Sequence, residues 1–414
     1  MNLASDLKAR GLVANASAEV ETILEKTRTV YLGVDPTADS MHAGNLLLVL
    51  TMKRLADAGH NVQFIVGGGT GMIGDPKEKG ERPLADSRTV TRNKKALKTQ
   101  YRQILGRRVK VIDNADWLLK LRLIDFLRDI GKHFTINELI KRDIIKRRLD
   151  ADDDSISYTE FAYTLLQGYD YLALNQKYGT DLQLGGNDQW TNLLSGVELI
   201  RRKLGREAFA ITTPLVVDAS GKKFGKSEGN AIWLDPKKTT PYAFYQFWLN
   251  QPDEVVGTYL KYYTFLQVKE IDLLMELHAR QPGKREAQKA LAREVTATVH
   301  GEDVAAQCST VSEVLFGDRA LGGLSRDERA VLLAAAPTLC VTGPQLDAHY
   351  PVVDALVDSR LVPSKSEARR LIEGRGIYLN GCVVEKPEWT IRERDFSGGL
   401  ALLRRGKQVV VLYT

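Results

Sequence analysis

The sequence predicts an α/β protein whose N-terminal part is a parallel sheet flanked by helices. Residues 29–34 (TVYLGV) and 62–66 (VQFIV) are short apolar runs typical of buried strands, and residues 46–58 between them have the composition of a helix. This order is that of a βαβ unit, whose strands are parallel and joined by a right-handed crossover. We therefore predict a Rossmann-like sheet at the start of the chain.

Polar or glycine-rich segments follow both predicted strands. A turn at residues 35–40 comes after the first strand, and a loop at residues 67–74 comes after the second. Ligands of such sheets bind at the carboxyl ends of the strands. We therefore expect residues 35–45 and 67–75 to lie at the same edge of the sheet and to form a binding site.

The length of 414 residues favours two or three domains. Strand and helix patterns alternate to about residue 217, a helical pattern follows, and a region rich in glycine precedes a tail with its own helix and short strands. Ser364 and Glu367 form a capping box at the start of that helix. We predict a Rossmann-like domain at 1–217, a loop with a helical domain at 218–300, a linker at 301–347 and a small α+β domain at 348–414.

The composition argues against several classes of protein. No run reaches the ~18–20 apolar residues of a membrane helix, and the N-terminus lacks the apolar core of a secretion signal. The cysteines Cys308, Cys340 and Cys382 form neither a metal-binding pattern nor a disulfide framework. We expect a cytoplasmic protein that has no membrane attachment and no metal site of its own.

Two basic clusters accompany a net charge of +6. Residues 88–110 contain nine basic and no acidic side chains, and residues 141–148 contain five basic side chains. A run of charges is usually only a solvated helix face, and that interpretation stays open for each cluster. Two such runs in one chain nevertheless favour a polyanionic partner.

Two short motifs suit the binding of a nucleoside triphosphate. His42-Ala-Gly-Asn45 lies where the first strand leads into its helix, and a helix N-terminus favours phosphate groups. Gly44 would let a flat ring approach the backbone. Lys223-Phe-Gly-Lys226-Ser227 carries two lysines in a glycine-containing loop. Either motif alone could be an ordinary polar segment, but the pair after a βαβ unit indicates a polyphosphate site.

A third motif places polar side chains on one face of a helix. Tyr163, Gln167 and Asp170 recur at i, i+4 and i+7, so their side chains share one helical face. An interfacial polar stripe is the alternative interpretation. A tyrosine, an amide and a carboxylate together favour contact with a polar ligand.

Together these motifs resemble the paired signatures of class I aminoacyl-tRNA synthetases. The lysine motif has the form seen in bacterial tyrosyl-tRNA synthetases, and residues 31–40, 68–76, 163–170 and 185–190 resemble the active-site segments of that family. The tail from about residue 350 resembles the RNA-binding domain named after ribosomal protein S-four. The resemblance thus covers nearly the whole chain.

The resemblance implies activation of L-tyrosine by ATP with Mg²⁺, giving tyrosyl-adenylate and pyrophosphate. Tyrosine would then pass to the 3′-terminal ribose of tRNA(Tyr). The resemblance also implies that ATP is a substrate, that no cofactor is tightly bound, and that the chain forms a homodimer with its subunit contact near residues 126–158.

The resemblance further implies a role for each matching residue. The expected tyrosine-binding residues are Tyr31 and Asp170 at the phenolic hydroxyl, Asp75, Tyr163 and Gln167 at the α-ammonium, and Gln189 near the carboxylate. The expected catalytic residues at the polyphosphate are Thr37, His42, Asn45, Lys223 and Lys226. The other expected ATP-binding residues are Asp35, Gly44, Gly186, Asp188 and Ser227, with Lys79 and Arg82 as further candidates. The expected tRNA contacts are Arg147, Arg148, Arg369 and Arg370.

Two positions depart from the commonest form of the first signature. Ala43 stands where isoleucine is usual, and Asn45 stands where the family has a second histidine. Asparagine can donate a hydrogen bond to a phosphate but cannot carry charge. We therefore expect Asn45 to contribute hydrogen bonding only.

Three other functions compete with this prediction. Gly69, Gly71 and Gly74 match the spacing of a dinucleotide-binding fingerprint, which suggests a dehydrogenase, but the loop continues into Asp75-Pro76 instead of a helix. A tryptophanyl-tRNA synthetase would not explain Tyr31 with Asp170. A non-catalytic RNA-binding module would explain the basic clusters and the tail but none of the expected tyrosine-binding residues.

Overall fold

The structure is a computed structural model that divides into two compact units. The described residues are 2–76, 80, 86–106, 109–140, 143–151, 154–217, 231–317 and 319–414. The first unit, Met1–Thr239 with Gln251–Ala287, is called the N-terminal unit below. The second, Thr240–Asn250 with Gln288–Thr414, is called the C-terminal unit. The domain boundaries expected at residues 217, 300 and 347 stay predictions.

The described part of the N-terminal unit contains a six-stranded sheet. Its strands are β1 (Asn15–Ala16), β2 (Thr29–Val34), β3 (Asn61–Val66), β4 (Lys110–Asp113), β5 (Leu182–Gly186) and β6 (Phe209–Thr213). The order is β1-β6-β5-β2-β3-β4, and every neighbouring pair is parallel except β1 with β6. The five parallel strands have the doubly wound Rossmann order, and the direction of winding reverses between β2 and β5. The predicted parallel sheet is confirmed.

The C-terminal unit contains a second sheet. Its strands are β7 (Thr338–Cys340), β8 (Ile377–Leu379), β9 (Cys382–Val383), β10 (Leu400–Arg405) and β11 (Gln408–Tyr413). They lie in the order β7-β11-β10-β8-β9, with β7 parallel to β11 and the other pairs antiparallel. Residues such as Val352, Leu356, Ile372 and Leu403 form a buried core beside this sheet. The predicted small α+β fold of the tail is confirmed.

Helices make up most of the remaining described chain. They are α1 (Leu3–Ala9), α2 (Val20–Leu24), α3 (Ala43–Asp57), α4 (Ser87–Leu105), α5 (Ala115–Leu118), α6 (Leu123–Asp129), α7 (Ile136–Leu139), α8 (Asp143–Leu149), α9 (Tyr158–Tyr178), α10 (Trp190–Leu204), α11 (Pro241–Leu249), α12 (Asp253–Tyr263), α13 (Val268–Arg280), α14 (Glu286–His300), α15 (Glu302–Phe316), α16 (Arg326–Ala335), α17 (Gly343–Asp347), α18 (Val352–Asp358) and α19 (Lys365–Glu373). Across the described ranges, none is both long and apolar enough to span a membrane.

Local signals explain where two of the helices begin or end. The Ser157 hydroxyl accepts a hydrogen bond from the Glu160 N–H at the start of α9, and Gly179 ends that helix in the left-handed region. At the start of α19, the Ser364 hydroxyl accepts from the Glu367 N–H, which is one of the two hydrogen bonds of the predicted capping box, and the Glu367 carboxylate pairs with Arg405. The sequence therefore fixes these ends through a few short-range hydrogen bonds.

Arg148 lies inside the N-terminal unit, although it was expected to contact tRNA. Its side chain is 1% exposed and its guanidinium is 2.9 Å from Glu160 Oε2, which is also buried. Asp154 Oδ1 is 3.3 Å from the same guanidinium. A charged side chain buried among carboxylates cannot reach an RNA phosphate, so the prediction for Arg148 is wrong. The adjacent Arg147 is exposed.

We predict that Arg148→Ala destabilises the N-terminal unit by about 3–5 kcal/mol, because it leaves the buried Glu160 carboxylate without its cation. Arg147→Ala is the matched control and should change stability by less than about 0.5 kcal/mol. Urea unfolding followed by tryptophan fluorescence measures both. Equal effects of the two substitutions would show that the buried pair is not structural.

Candidate active site

The carboxyl ends of β2, β3 and β5 border a cavity of about 300 Å³. It lies where the winding of the sheet reverses, which is the usual ligand position in this architecture. The predicted residues that line it are Tyr31, Asp35, Thr37, His42, Gly44, Asn45, Asp75, Tyr163, Gln167, Asp170, Gly186, Asp188 and Gln189. Lys79, Arg82, Lys223, Lys226 and Ser227 lie outside the described residues. The roles assigned to both groups stay predictions.

Tyr31 and Asp170 are both buried polar residues of the cavity lining. Asp170 Oδ2 accepts a hydrogen bond from the Asn114 amide at 2.9 Å, and Oδ1 accepts one from the Trp117 indole at 2.7 Å. Burial raises the pKa of Asp170 to about 7, although both donors act to lower it. The buried Tyr31 hydroxyl has no hydrogen-bond partner. A ligand that supplies a hydroxyl here would satisfy Tyr31 and add a donor for Asp170.

A second carboxylate, Asp35, lies at the end of β2 and is held from two sides. Its Oδ1 accepts from the Thr70 hydroxyl at 2.7 Å, and its Oδ2 accepts from the Tyr163 hydroxyl at 2.9 Å. Asn114 also donates to Thr70 Oγ at 2.9 Å. A Cβ at Gly67 would collide with the Asp35 carboxylate and the Thr70 hydroxyl, so glycine is required for this close approach.

A third carboxylate, Asp75, follows the glycine loop. Its Oδ2 accepts from the Gln189 side-chain amide at 2.7 Å, and Gln189 Oε1 in turn accepts from Asn192 at 2.9 Å. Gln167 lies near these groups on the cavity wall, and its Oε1 is buried without a hydrogen-bond partner. Asp75 and Gln167 therefore offer acceptor atoms suited to a cationic group of a ligand.

The N-terminus of α3 also lines the cavity, and His42 is its capping residue. His42 Nδ1 accepts from the Gly44 N–H at 3.1 Å, and Asn45 Oδ1 accepts from the His42 N–H at 3.2 Å. When the ring is neutral, its proton must therefore be on Nε2, and the Asn45 side chain keeps its Nδ2 donors. These donors and the helix dipole together favour an anionic ligand group at this wall.

A short segment after the predicted lysine loop pairs with the residues that precede α3. The Ala43 N–H donates to the Ile232 carbonyl at 2.8 Å, and the Leu234 N–H donates to the Met41 carbonyl at 2.9 Å. The Trp233 ring also meets the His42 ring edge to face, with 6.1 Å between their centroids. This pairing was not predicted, because no sequence pattern marks it.

Sequence reasoning missed several polar residues of the site, above all Asn114, Trp117, Thr70 and Asn192. Asn114 directly follows β4, so the rule that ligands bind beyond the carboxyl ends of strands could have identified it. Trp117 and Asn192 carry no comparable signal in the sequence. Among the described residues, no group of three or more His, Cys, Asp and Glu side chains could hold a metal ion.

The remaining predicted nucleic-acid contacts lie on exposed helix surfaces. Arg147 is exposed on α8 in the N-terminal unit, and Arg369 and Arg370 are exposed on α19 in the C-terminal unit. Exposure is compatible with the predicted phosphate contacts. Their role stays a prediction.

Comparison with known proteins gives matches over nearly the whole chain. Residues 24–317 match the family described as "tRNA synthetases class I (W and Y)", and residues 336–413 match the "Tyrosine--tRNA ligase SYY-like C-terminal domain". A tyrosine--tRNA ligase of Roseiflexus castenholzii is 46% identical over 412 residues, which is 97% of each chain. One of Lactococcus lactis subsp. lactis is 44% identical over 418 residues, covering 99% of this chain and 98% of that one.

A solved structure agrees with this similarity. The C-terminally truncated mitochondrial tyrosyl-tRNA synthetase of Aspergillus nidulans superimposes with a TM-score of 0.68 at 31% identity. The match covers 76% of this chain and 94% of that one.

We predict that Trp117→Phe raises the pKa of Asp170 above its value of about 7. The substitution removes one donor to the ionised carboxylate, so ionisation moves to higher pH by roughly one pH unit. An NMR titration of ¹³C-labelled aspartate carboxyls measures it, with the Asp170 signal assigned from Asp170→Asn. Trp389→Phe, in the C-terminal unit, is the control; an unchanged Asp170 titration in Trp117→Phe would contradict the prediction.

Proposed function

The chain belongs to the class I tRNA synthetases for tryptophan and tyrosine, and we propose that it is the tyrosine ligase of that pair. It activates L-tyrosine with ATP and transfers the tyrosyl group to the 3′-terminal ribose of tRNA(Tyr). The observation that supports tyrosine most strongly is the buried Tyr31 hydroxyl without a partner, in the same cavity as the buried Asp170 carboxylate. A phenolic hydroxyl supplies the partner that Tyr31 lacks and a further donor to Asp170.

The phenol of the substrate donates its proton to Asp170 and accepts a hydrogen bond from Tyr31. Phenylalanine would leave the buried Tyr31 hydroxyl unsatisfied, which costs about 1–3 kcal/mol, and would leave Asp170 with only its Asn114 and Trp117 donors. Asn114 and Trp117 donate to Asp170 and so favour its ionised, accepting form. Discrimination against phenylalanine therefore follows from binding alone and needs no separate editing step.

The amino-acid head group binds at the next part of the cavity. Tyr163 donates its own proton to Asp35, so its hydroxyl oxygen can accept from the α-ammonium. Asp75 and the buried Oε1 of Gln167 supply the other acceptors. Gln189 lies near the carboxylate that attacks ATP.

ATP binds against the N-terminus of α3. Thr37, His42 and Asn45 donate to the phosphates, and Gly44 leaves room for the adenine ring. Asp35, Gly186 and Asp188 hold the nucleoside, and we assign Lys223, Lys226 and Ser227 to the polyphosphate as well. Mg²⁺ enters with ATP as part of the substrate.

The chemistry is two successive displacements. A carboxylate oxygen of tyrosine attacks the α-phosphorus, the bond to the pyrophosphate oxygen breaks, and tyrosyl-adenylate forms. A hydroxyl of the terminal ribose of tRNA then attacks the tyrosyl carbonyl carbon, and AMP leaves. No protein nucleophile is needed, because positioning of the reactants and donors to the developing phosphate charge lower both barriers.

A dinucleotide-dependent dehydrogenase is the less favoured function. In such enzymes the glycine loop opens a helix and holds a pyrophosphate against its backbone. Here the Asp35 carboxylate lies against Gly67, and the Asp113 carboxylate, paired with Lys94, lies against Gly68. These side chains occupy the space beside the two glycines, so that space is not open to a pyrophosphate.

Exposed apolar side chains support a homodimer. Leu119, Leu123, Ile124, Ile136 and Tyr158 are each at least 60% exposed, and all lie between residues 119 and 158. Apolar patches of this kind mark interfaces. We propose that a second copy of the chain covers this face, called the 119–158 face below.

The same proposal includes the tRNA and the location. Arg147, Arg369 and Arg370 contact tRNA phosphates, and their contribution weakens as salt is added. The protein acts in the cytoplasm, where ATP and tRNA are available to it.

ATP–pyrophosphate exchange tests the amino-acid specificity. We expect exchange with tyrosine, and none with phenylalanine or tryptophan. Tyr31→Phe should weaken tyrosine binding by about 0.5–1.5 kcal/mol through one lost hydrogen bond. Tyr101→Phe is the matched control, because the Tyr101 hydroxyl is also buried without a partner but is not among the cavity residues. Exchange with another amino acid would refute the proposed substrate.

Sedimentation velocity tests the homodimer. The double substitution of Leu123→Asp and Ile124→Asp places two charges on the 119–158 face and should convert a dimer into monomers. Leu273→Asp with Leu277→Asp changes two exposed leucines on α13 and should leave the dimer intact. A monomeric wild-type protein would rule the dimer out, and a dimer in the first variant would place the contact elsewhere.

A further inference from the structure

Asn192 bridges two of the groups assigned to the amino-acid head group. Its Nδ2 donates to Gln189 Oε1 at 2.9 Å and to Asp75 Oδ1 at 3.4 Å, while Gln189 Nε2 donates to Asp75 Oδ2 at 2.7 Å. The three side chains thus form a closed ring of hydrogen bonds. Asn192 is not among the residues that line the cavity.

The carboxylate sets the orientation of every amide in this ring. Asp75 can only accept when ionised, so the NH₂ end of Gln189 must face it. The oxygen of Gln189 then faces Asn192 and requires a donor there. Asn192 Nδ2 is that donor, and its second hydrogen serves the other oxygen of Asp75. Asn192 therefore supports the orientation of the Gln189 amide that the Asp75 carboxylate requires, by donating to its oxygen.

Thr164 holds the other end of the Asn192 amide. The Thr164 hydroxyl donates to Asn192 Oδ1 at 3.0 Å, so the amide oxygen has a partner while the NH₂ group faces Gln189 and Asp75. Thr164 is the neighbour of Tyr163 on α9, and Asn192 lies three residues after Gln189 in the first turn of α10. The hydrogen bond between Thr164 and Asn192 therefore connects α9 to the start of α10.

We propose that Asn192, anchored by Thr164, is a positioning residue for the head group of the amino-acid substrate. It acts through Asp75 and Gln189: its hydrogen bonds hold the Asp75 carboxylate and the Gln189 amide in the positions from which they meet the head group of the substrate. This inference rests on the proposed binding of tyrosine in the cavity.

Asn192→Leu tests the proposal, because leucine has a similar volume but neither a donor nor an acceptor. The dissociation constant of tyrosine, measured by equilibrium dialysis without ATP, should rise about tenfold. In pyrophosphate exchange the KM for tyrosine should rise in parallel, while the KM for ATP stays within about twofold of wild type. Equal changes in both KM values would show a general structural role and overturn the proposal.

Asn175→Leu is the matched control. Asn175 is a buried amide on α9 that donates to the Thr180 carbonyl at 2.9 Å, and it is not among the residues that line the cavity, whereas Asn192 is half-buried on α10. It should lower thermal stability without changing tyrosine affinity. If it weakens tyrosine binding as much as Asn192→Leu does, loss of a buried amide explains the effect and the proposal fails.

Two further comparisons separate positioning from packing. Thr164→Val should weaken tyrosine binding in the same direction as Asn192→Leu, and Thr164→Ser, which keeps the hydroxyl, should restore it. Asn192→Leu should also have little effect in a Gln189→Ala, Asp75→Ala background, since the groups it acts through are gone. Additive effects there would overturn the proposal.

Tyrosine binding by the wild-type protein distinguishes failure of the proposed function from failure of the role proposed for Asn192. Absence of tyrosine binding by the wild type would refute the proposed function itself. Normal binding by the wild type with unchanged binding by Asn192→Leu would refute only the role of Asn192.

Discussion

The hydrogen bonds of one buried amide, Asn114, hold the cavity together. Its Nδ2 donates to Asp170 and to Thr70, and its Oδ1 accepts from the Gly69 N–H at 2.7 Å. The amide thereby joins the end of β4, the glycine loop after β3 and helix α9. Through Thr70 it also fixes Asp35. A small shift of Asn114 would therefore disturb two carboxylates and the loop that separates them, because one side chain supplies a partner to each.

Burial of polar side chains in the cavity costs free energy, and hydrogen bonds offset only part of that cost. Burial raises the pKa of Asp170, whereas the Asn114 and Trp117 donors stabilise its charged form and lower the pKa. The resulting pKa is about 7. Tyr31 adds a buried hydroxyl without a partner. The protein bears this cost in the absence of substrate, and a phenol removes it. The unpaired Tyr31 hydroxyl therefore destabilises the empty site and also makes the site specific for a ligand with a hydroxyl group.

The cavity lining combines groups of opposite electrostatic character. Asp35, Asp75 and Asp170 supply acidic side chains, and the N-terminus of α3 with His42 and Asn45 favours anions. A zwitterionic amino acid and a triphosphate therefore each find groups of complementary charge in this lining. The sheet brings part of it together, because Asp35 and the start of α3 follow β2 and Asp75 follows β3.

The sequence by itself determined the features that depend on local order. The βαβ unit, the capped start of α3 and the shared face of Tyr163, Gln167 and Asp170 follow from periodicity and short-range hydrogen bonds, and motif resemblance extended them to the cavity lining. Only the tertiary structure decided which distant side chains meet. Asn114 contacts Asp170, 56 positions away, and Asn192 contacts Asp75, 117 positions away. Arg148 is buried beside Glu160, although its neighbours in the basic cluster suggested an exposed side chain. Periodicity shows which face of an element is buried, but its partners depend on how strands pair and helices pack.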